Sequence, residues 1–234
     1  MISFYNPRGF DFSRDGIQFE AAFGDRLFGG SNQMASAEAR LREDPATRRA
    51  LGIIYDSSDS HNARLDVPCA IGVQLLRRDE SIECVTLMRS QSAIMVLPYD
   101  VFLFTMLQEI SAVRLGCLLG NYRHYSVSFH VYEDEIDALL EACSARPSEA
   151  LAPMSPIQDA SDDTLLKVFE AEKRIRKAYS SGTLDAFNVE DFNVDPYWAE
   201  LLTALLIHAL RKSGGRPQED QWPALSETFR TLLW

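Results

Sequence analysis

Two stretches of alternating apolar and polar residues, 69–76 and 82–89, flank the polar run Arg77-Arg78-Asp79-Glu80-Ser81. Period-two alternation on both sides of a short charged run reads as a β-hairpin with one face turned to a core. The hairpin constrains the rest of the chain, because a two-stranded ribbon is not stable alone and needs further strands or a helix on its apolar face. Both occur nearby. Residues 50–55 and 118–132 read as strand, and Pro98 opens a helical pattern to about Val113 through Val101, Phe102, Thr105, Met106 and Ile110. Upstream, residues 1–30 read as loops and a short strand punctuated by Pro7 and by Gly9, Gly16, Gly24, Gly29 and Gly30. Ser31 is placed to cap a helix over 32–43, ended before Pro45.

Downstream the pattern changes. Residues 133–143 read as helix, and 145–160 carry Pro147, Pro153 and Pro156 among Ser and Ala, which is linker chemistry. Three helices come after it, over about 161–179, 197–212 and 223–233, with Gly214-Gly215 stopping the second. The expectation is an α+β fold: a sheet core over residues 1–144, a linker over 145–160 and a helical C-terminal extension over 161–234.

Composition narrows the function. A chain of 234 residues with 46% hydrophobic and 24% charged residues is long enough to bury one sizeable core. The net charge of −11 argues against general nucleic-acid binding, so an anionic ligand must be held by a few concentrated arginines. Cys69, Cys84, Cys117 and Cys143 show neither Cys-x-x-Cys spacing nor a disulfide framework, which suits reduced thiols in a cytoplasm and supplies no metal motif. No run of about 18 apolar residues spans a membrane, and no apolar signal core opens the chain.

The candidate chemistry sits on the hairpin and on the segments C-terminal to it. Val67-Pro68-Cys69 puts a thiol at a strand start, where a nucleophile is rigidly presented. Arg89-Ser90 closes the second strand with a guanidinium fork and a hydroxyl, donors that suit a phosphate. His130 and Tyr132 are two residues apart and so share one side of a strand, where both can face a sugar hydroxyl or stand as a core pair. His124 and Tyr125 break that spacing and are set aside.

With these residues in view, the chain resembles the thymidylate synthase family, which includes the deoxycytidylate and cytidylate hydroxymethylases. Phe23-Gly24-Asp25-Arg26-Leu27 is similar to the family's Tyr-Gly-x-x-Trp/Leu turn, and Asp44-Pro45-Ala46-Thr47-Arg48-Arg49 to its Asp-Pro-x-Ser-Arg-Arg element. Pro68-Cys69, Arg89-Ser90, Leu97-Pro98-Tyr99-Asp100 and Ser128-Phe129-His130-Val131-Tyr132 are similar to Pro-Cys, Arg-Ser, Leu-Pro-Phe-Asn and Asp-x-His-x-Tyr.

The resemblance implies a pyrimidine nucleoside 5′-monophosphate as substrate and 5,10-methylenetetrahydrofolate as one-carbon donor. Cys69 is then the nucleophile at C6, with a pKa lowered by nearby arginines, and Asp100 faces the base. Arg89 and Ser90 hold the phosphate, Arg48 and Arg49 reach the phosphate of a second subunit in a homodimer, and His130 and Tyr132 hold the sugar. Asp100 stands where deoxyuridylate enzymes carry Asn. Its acceptor oxygens suit the exocyclic amino group of cytosine, which points to a (d)CMP 5-hydroxymethylase. The alternatives are a dUMP- or UMP-methylating enzyme and a catalytically impaired nucleotide-binding homologue.

Several positions depart from the pattern: Ala70 for His, Met88 for Gln, Ser92 for the folate-contacting Asp and Val96 for a Gly that leaves room for the cofactor. The family's N-terminal region, with a phosphate-binding arginine and a catalytic glutamate, has no counterpart motif. Arg8, Arg14 and Glu20 are the candidates for those roles. Asp191-Phe192 echoes the family's Glu-Asp-Phe near its end.

Overall fold

A computed structural model describes residues 2–13, 15–16, 19–61, 66–144, 153–217 and 225–233. Arg14, Asn62, Pro223 and the first half of the expected linker, 145–152, lie outside these, and nothing is described of the Arg8 side chain. The fold is mixed α and β and divides into two units, Ile2–Arg146 and Pro147–Trp234.

The first unit holds α1 (Ile2–Tyr5), α2 (Phe23–Phe28), α3 (Gln33–Glu43), β1 (Leu51–Ile53), β2 (Ala70–Arg78), β3 (Ser81–Met88), β4 (Gln91–Ser92), α4 (Leu97–Leu115), β5 (Leu118–Ser126), β6 (Phe129–His130) and α5 (Ile136–Ser144). The expected hairpin is β2–β3, antiparallel in register Leu75↔Cys84 and Arg78↔Ser81, with Asp79 at φ +53° in the turn. β1 pairs antiparallel on one side and β5 parallel on the other, giving the order β1-β2-β3-β5. Parallel pairing of β3 and β5 needs a crossover, and α4 supplies it. Gly72 lies so close to β1 that a Cβ there would meet the Gly52 carbonyl oxygen at 2.7 Å.

Alternation along β3 turns Ile82, Cys84, Thr86 and Met88 inward. With Val73 and Leu75 of β2, Ile82, Cys84 and Met88 form one core with Leu27, Met34 and Leu41 of α2 and α3 and Phe104 and Leu107 of α4. Burial pushes the Cys84 thiol up to about 12, the behaviour of a structural cysteine. The opposite face of the sheet is open. Register places Leu51, Gln74, Val85 and Arg123 in one row and Ile53, Gly72, Leu87 and Tyr125 in the next, with Leu51, Ile53, Leu87 and Tyr125 all exposed.

β3 and β5 break at the same level. β3 gives way to β4 at Arg89-Ser90, and β5 to β6 at Val127-Ser128, yet the pairing continues through Val127 N–H to Met88 O (3.0 Å) and Gln91 N–H to Ser128 O (2.8 Å). α4 starts with Pro98 in its first turn and ends at Gly116, φ +63°. A glycine serves there because the left-handed conformation costs it no Cβ clash.

The N-terminal region corrects the sequence reading. It carries no strand among the described residues, and Phe23-Gly24-Asp25-Arg26-Leu27 is helix α2 instead of a turn. Arg26 explains it. Its guanidinium grips buried Asp59 through both terminal nitrogens (2.5 and 2.9 Å) and reaches the carbonyls of Glu20 (2.6 Å) and Ile54 (2.6 Å). A long-range charged clamp overrides the local turn signal of Gly24. The cap of α3 is Asn32, which accepts from Ala35 N–H at 3.0 Å, and Ser31 lies outside it.

The second unit holds α6 (Asp162–Ser181), α7 (Pro196–Lys212) and α8 (Glu227–Leu233). Ser161 caps α6 and Gly182, φ +69°, ends it. Asp195 caps α7 with one oxygen, while its other accepts from the N–H groups of Gln158 (3.1 Å) and Asp159 (2.9 Å). The unit buries Ile175, Trp198, Leu206 and Ile207, and the Trp198 indole donates to Asp159 O at 2.9 Å. Asp191-Phe192 belongs to a 3-10 turn here, with Phe192 stacked on Phe187 and covered by the Arg174 guanidinium.

Candidate active site

Cys69 directly precedes β2, half-buried behind buried Pro68. A register shift between Ala70 and Gly72 comes next, the kind of bulge that re-aims a neighbouring side chain. Arg89 holds this loop from the next strand. Its backbone N–H donates to Cys69 O (2.8 Å), and its guanidinium donates to the carbonyls of Pro68 (3.0 Å) and Val67 (3.0 Å). The structure therefore joins Cys69 to Arg89, with Ser90 beside it at the strand break.

The electrostatics differ from the sequence expectation of a lowered thiol pKa. Burial raises the Cys69 thiol; Arg89 pulls it down, and Asp100 and Asp66 push it further up. Asp66 is half-buried and carries no family motif. Its carboxyl is itself raised, first by burial, against the pull of Arg89.

Asp100 lies in the first turn of α4 and is only 6% exposed. Its Oδ2 accepts from the Gln91 side-chain amide at 3.0 Å. Gln91 is buried in β4, and its Oε1 lies 3.0 Å from His124 Nε2; His124 Nδ1 lies 2.7 Å from the Tyr122 hydroxyl. Burial raises the Asp100 carboxyl, with Gln91 and His124 opposing. Burial also lowers His124, against the pull of Asp100, and pushes the Tyr122 phenol up to about 12. Burial thus favours the neutral form of His124 beside a buried acid.

Sequence spacing set His124 aside and overlooked Gln91. Alternation offered a signal: along β5 the half-buried residues are 120, 122, 124 and 126, which puts Tyr122 and His124 on one face.

His130 ends β6, and Tyr132 lies beyond the strand, exposed, with their rings edge to face at 5.0 Å between centroids. Ser92 pairs with His130 in the β4–β6 ladder. Its hydroxyl accepts from Met95 N–H (3.2 Å) and faces Glu135 Oε2 (3.4 Å), which also accepts from Tyr132 N–H (3.3 Å). A carboxylate therefore stands next to the position where Ser92 replaces the expected aspartate. Glu20 is exposed and meets Arg26 through its carbonyl; its charge also raises Asp66.

Arg48 and Arg49 stand apart. Both are exposed between α3 and β1, where the Arg48 carbonyl accepts from Gln74 (2.9 Å) and the Arg49 N–H donates to Thr47 (3.3 Å). Their guanidinium groups have no partner in this chain among the described residues. No cluster of three or more His, Cys, Asp or Glu suited to a metal occurs among the described residues, and no helix there is long and apolar enough to cross a membrane.

Against known proteins, residues 16–201 match the family model described as Thymidylate synthase, a span that runs from before α2 into α7. The chain is 27% identical over 139 residues to Thymidylate synthase 1/2 of Encephalitozoon cuniculi, covering 59% of this chain and 47% of that protein. It is 29% identical over 160 residues to a deoxyuridylate hydroxymethyltransferase of Delftia phage PhiW-14, covering 60% and 43%. A protein of the same description from Bacillus phage SP01 is 27% identical over 153 residues, covering 57% and 39%. The chain thus spans somewhat less than half the length of these relatives.

Proposed function

Because the chain belongs to the thymidylate synthase family, we propose that it transfers a one-carbon unit to C5 of a pyrimidine nucleoside 5′-monophosphate, with a cytosine nucleotide as substrate and a hydroxymethyl group as product. The observation that carries the base assignment is buried Asp100, held through Oδ2 by Gln91. A carboxyl group offers cytosine an acceptor for its amino group and, when protonated, a donor for ring N3.

In this reading the Cys69 sulfur, once deprotonated, bonds to C6. The C5=C6 π pair becomes nucleophilic density at C5, delocalised toward the C4 substituent next to Asp100. When C5 has gained carbon and lost its proton, the C6–S bond breaks, the ring double bond returns and Cys69 leaves with the electron pair. Methylenetetrahydrofolate, the donor the family implies, would supply that carbon as a methylene and leave as tetrahydrofolate, and water would supply the oxygen of the hydroxymethyl group. The donor set suits it in one respect, since Glu135 places a carboxylate against Ser92 where the family has an aspartate. Arg89 and Ser90 take the phosphate, and His130 and Tyr132 the sugar.

A homodimer completes the site in this proposal. Two features support it: the open sheet face with exposed Leu51, Ile53, Leu87 and Tyr125, and the unpartnered guanidinium groups of Arg48 and Arg49 at its β1 side. An isologous contact across such a face is the commonest closed assembly.

Two other readings rest on specific observations. The names of the two phage relatives favour deoxyuridylate as the substrate, with the same hydroxymethyl product. Ser92 and Val96, at the two positions where the family contacts and makes room for its cofactor, favour a nucleotide-binding protein without turnover. Incubation with CMP, dCMP, UMP and dUMP tritiated at C5 separates the substrates: release from the cytidylates is expected, and release from uridylates alone sinks the Asp100 argument. A mass-detected adduct of a 5-fluoropyrimidine monophosphate on Cys69 is expected; its absence while the monophosphate still binds favours the binding-only reading.

A further inference from the structure

The hydrogen bonds behind Asp100 have one consistent polarity. The Gln91 amide nitrogen donates to Asp100 Oδ2, so its Oε1 must accept from His124 Nε2–H. Neutral His124 then has a lone pair on Nδ1, which accepts from the Tyr122 hydroxyl. From Asp100 Oδ2 to the Tyr122 hydroxyl each link has an assigned donor and acceptor, and each residue depends on the one before it. A free carboxylate rotates about its last bond and offers either oxygen to a ligand, because that torsion is broad. This one is held.

We infer that Gln91, His124 and Tyr122 are positioning residues that commit Asp100 Oδ2 as an acceptor and leave Oδ1 as the single atom that discriminates the base. The inference rests on the reading of Asp100 as the base contact. It gives β5 and β4 a share in specificity although neither Gln91 nor His124 need touch the nucleotide. Any carboxyl proton is confined to Oδ1, so loss of Gln91 opens a second site for it. The titratable groups facing Asp100 are His124 and Tyr122 from β5 and Cys69 from the loop before β2, with uncharged Gln91 between them. Gln91 pulls the Asp100 carboxyl down against burial, so removing it shifts the carboxyl further up.

Two measurements on the full chain test this. Long-range ¹⁵N–¹H spectra distinguish the ring nitrogens of the four histidines, and His124 is expected as the Nε2–H tautomer at neutral pH. Calorimetry with CMP and UMP from pH 5 to 8 then reads base preference. Gln91→Leu is expected to cut the cytosine-over-uracil ratio about tenfold and move its pH dependence upward, as loss of one hydrogen bond to a charged group would. Tyr122→Phe, which deletes one oxygen and keeps the ring, should act in the same direction and less. An Nδ1–H tautomer in the unaltered protein overturns the inference, as does a folded Gln91→Leu with unchanged ratio and pH profile. Should Gln91→Leu fail to fold, the tautomer and Tyr122→Phe decide. Asp100→Asn keeps the two ideas apart: an unchanged preference in that variant removes the base reading, whereas the tautomer reports on the relay alone.

Discussion

The two ends of the candidate site are built differently. At the base end, Asp100 is buried and bonded, and its partner Gln91 is itself bonded to His124. At the proposed phosphate and sugar end, Arg48, Arg49 and Tyr132 are exposed, and Arg89 spends its guanidinium on the Val67 and Pro68 carbonyls. On the proposed reading, the base contact would be preorganised within one chain, whereas phosphate capture would be completed by ligand and neighbour. Arg89 can exchange neutral carbonyl acceptors for a charged phosphate at a gain, since charge-assisted hydrogen bonds are roughly twice as strong.

The contrast breaks most visibly at the residue between the two ends. Cys69→Ser is expected to abolish the 5-fluoropyrimidine adduct and lower C5 tritium release by about 10³-fold or more, with the melting temperature nearly unchanged. Release that survives at a tenth of the normal rate removes Cys69 as the nucleophile. At the open end, replacing Arg48 and Arg49 together by Ala should weaken monophosphate binding about 100-fold and leave nucleoside binding and thermal stability alone. Equal losses for nucleoside and nucleotide in calorimetry would erase the assigned division.

Leu87→Glu sharpens the same comparison from the sheet face. The unaltered chain should sediment at twice its 26.4 kDa mass, and the variant at one chain mass, with monophosphate affinity reduced about tenfold or more as each site loses its partner's arginines. A single-chain mass for the unaltered protein at micromolar concentration counts against the dimer.

The smallest effect falls at the wired end. Burial raises the Asp100 carboxyl, so the native state holds that proton more tightly than the unfolded chain, and folding loses stability as pH rises through this range. Asp100→Asn removes that cost. Its thermal stability should therefore equal or exceed the parent's at pH 7, with the advantage vanishing near pH 4. Base preference should meanwhile move about tenfold toward uracil. A variant less stable at pH 7 than at pH 4, relative to the parent, contradicts the sign.

How far these ends were legible in sequence tracks the range of the interactions. The β2–β3 hairpin and the Cys69 and Arg89 positions were readable because alternation and strand ends are local signals. α4 was readable from Pro98 and helical spacing, though it runs two residues beyond Val113 to Leu115. α2 was not, because Gly24 signals a turn while the clamp that makes a helix there, Arg26 on Asp59, lies 33 residues away. His124 was discarded on spacing to His130, yet its value depends on Gln91, also 33 residues distant and reached only through the parallel pairing of β3 with β5. The Cys69 thiol went the other way for a related reason. One nearby arginine was visible in sequence, but the burial that outweighs it was not.

The crossover from β3 through α4 to β5 has a consequence for the order of events at the ribosome. Gln91, Asp100, Tyr122 and His124 all fall inside the β3–α4–β5 segment, Ser81 to Ser126. Loop closure over such short separations is entropically mild and favours rapid assembly. Once Ser126 has been added to the chain, every residue that holds Asp100 has been synthesised, before any of α6, α7 or α8 exists. If the proposed roles hold, the residues around Asp100 are all present early in synthesis, whereas a site shared with a second copy would depend on protein concentration and on time after release.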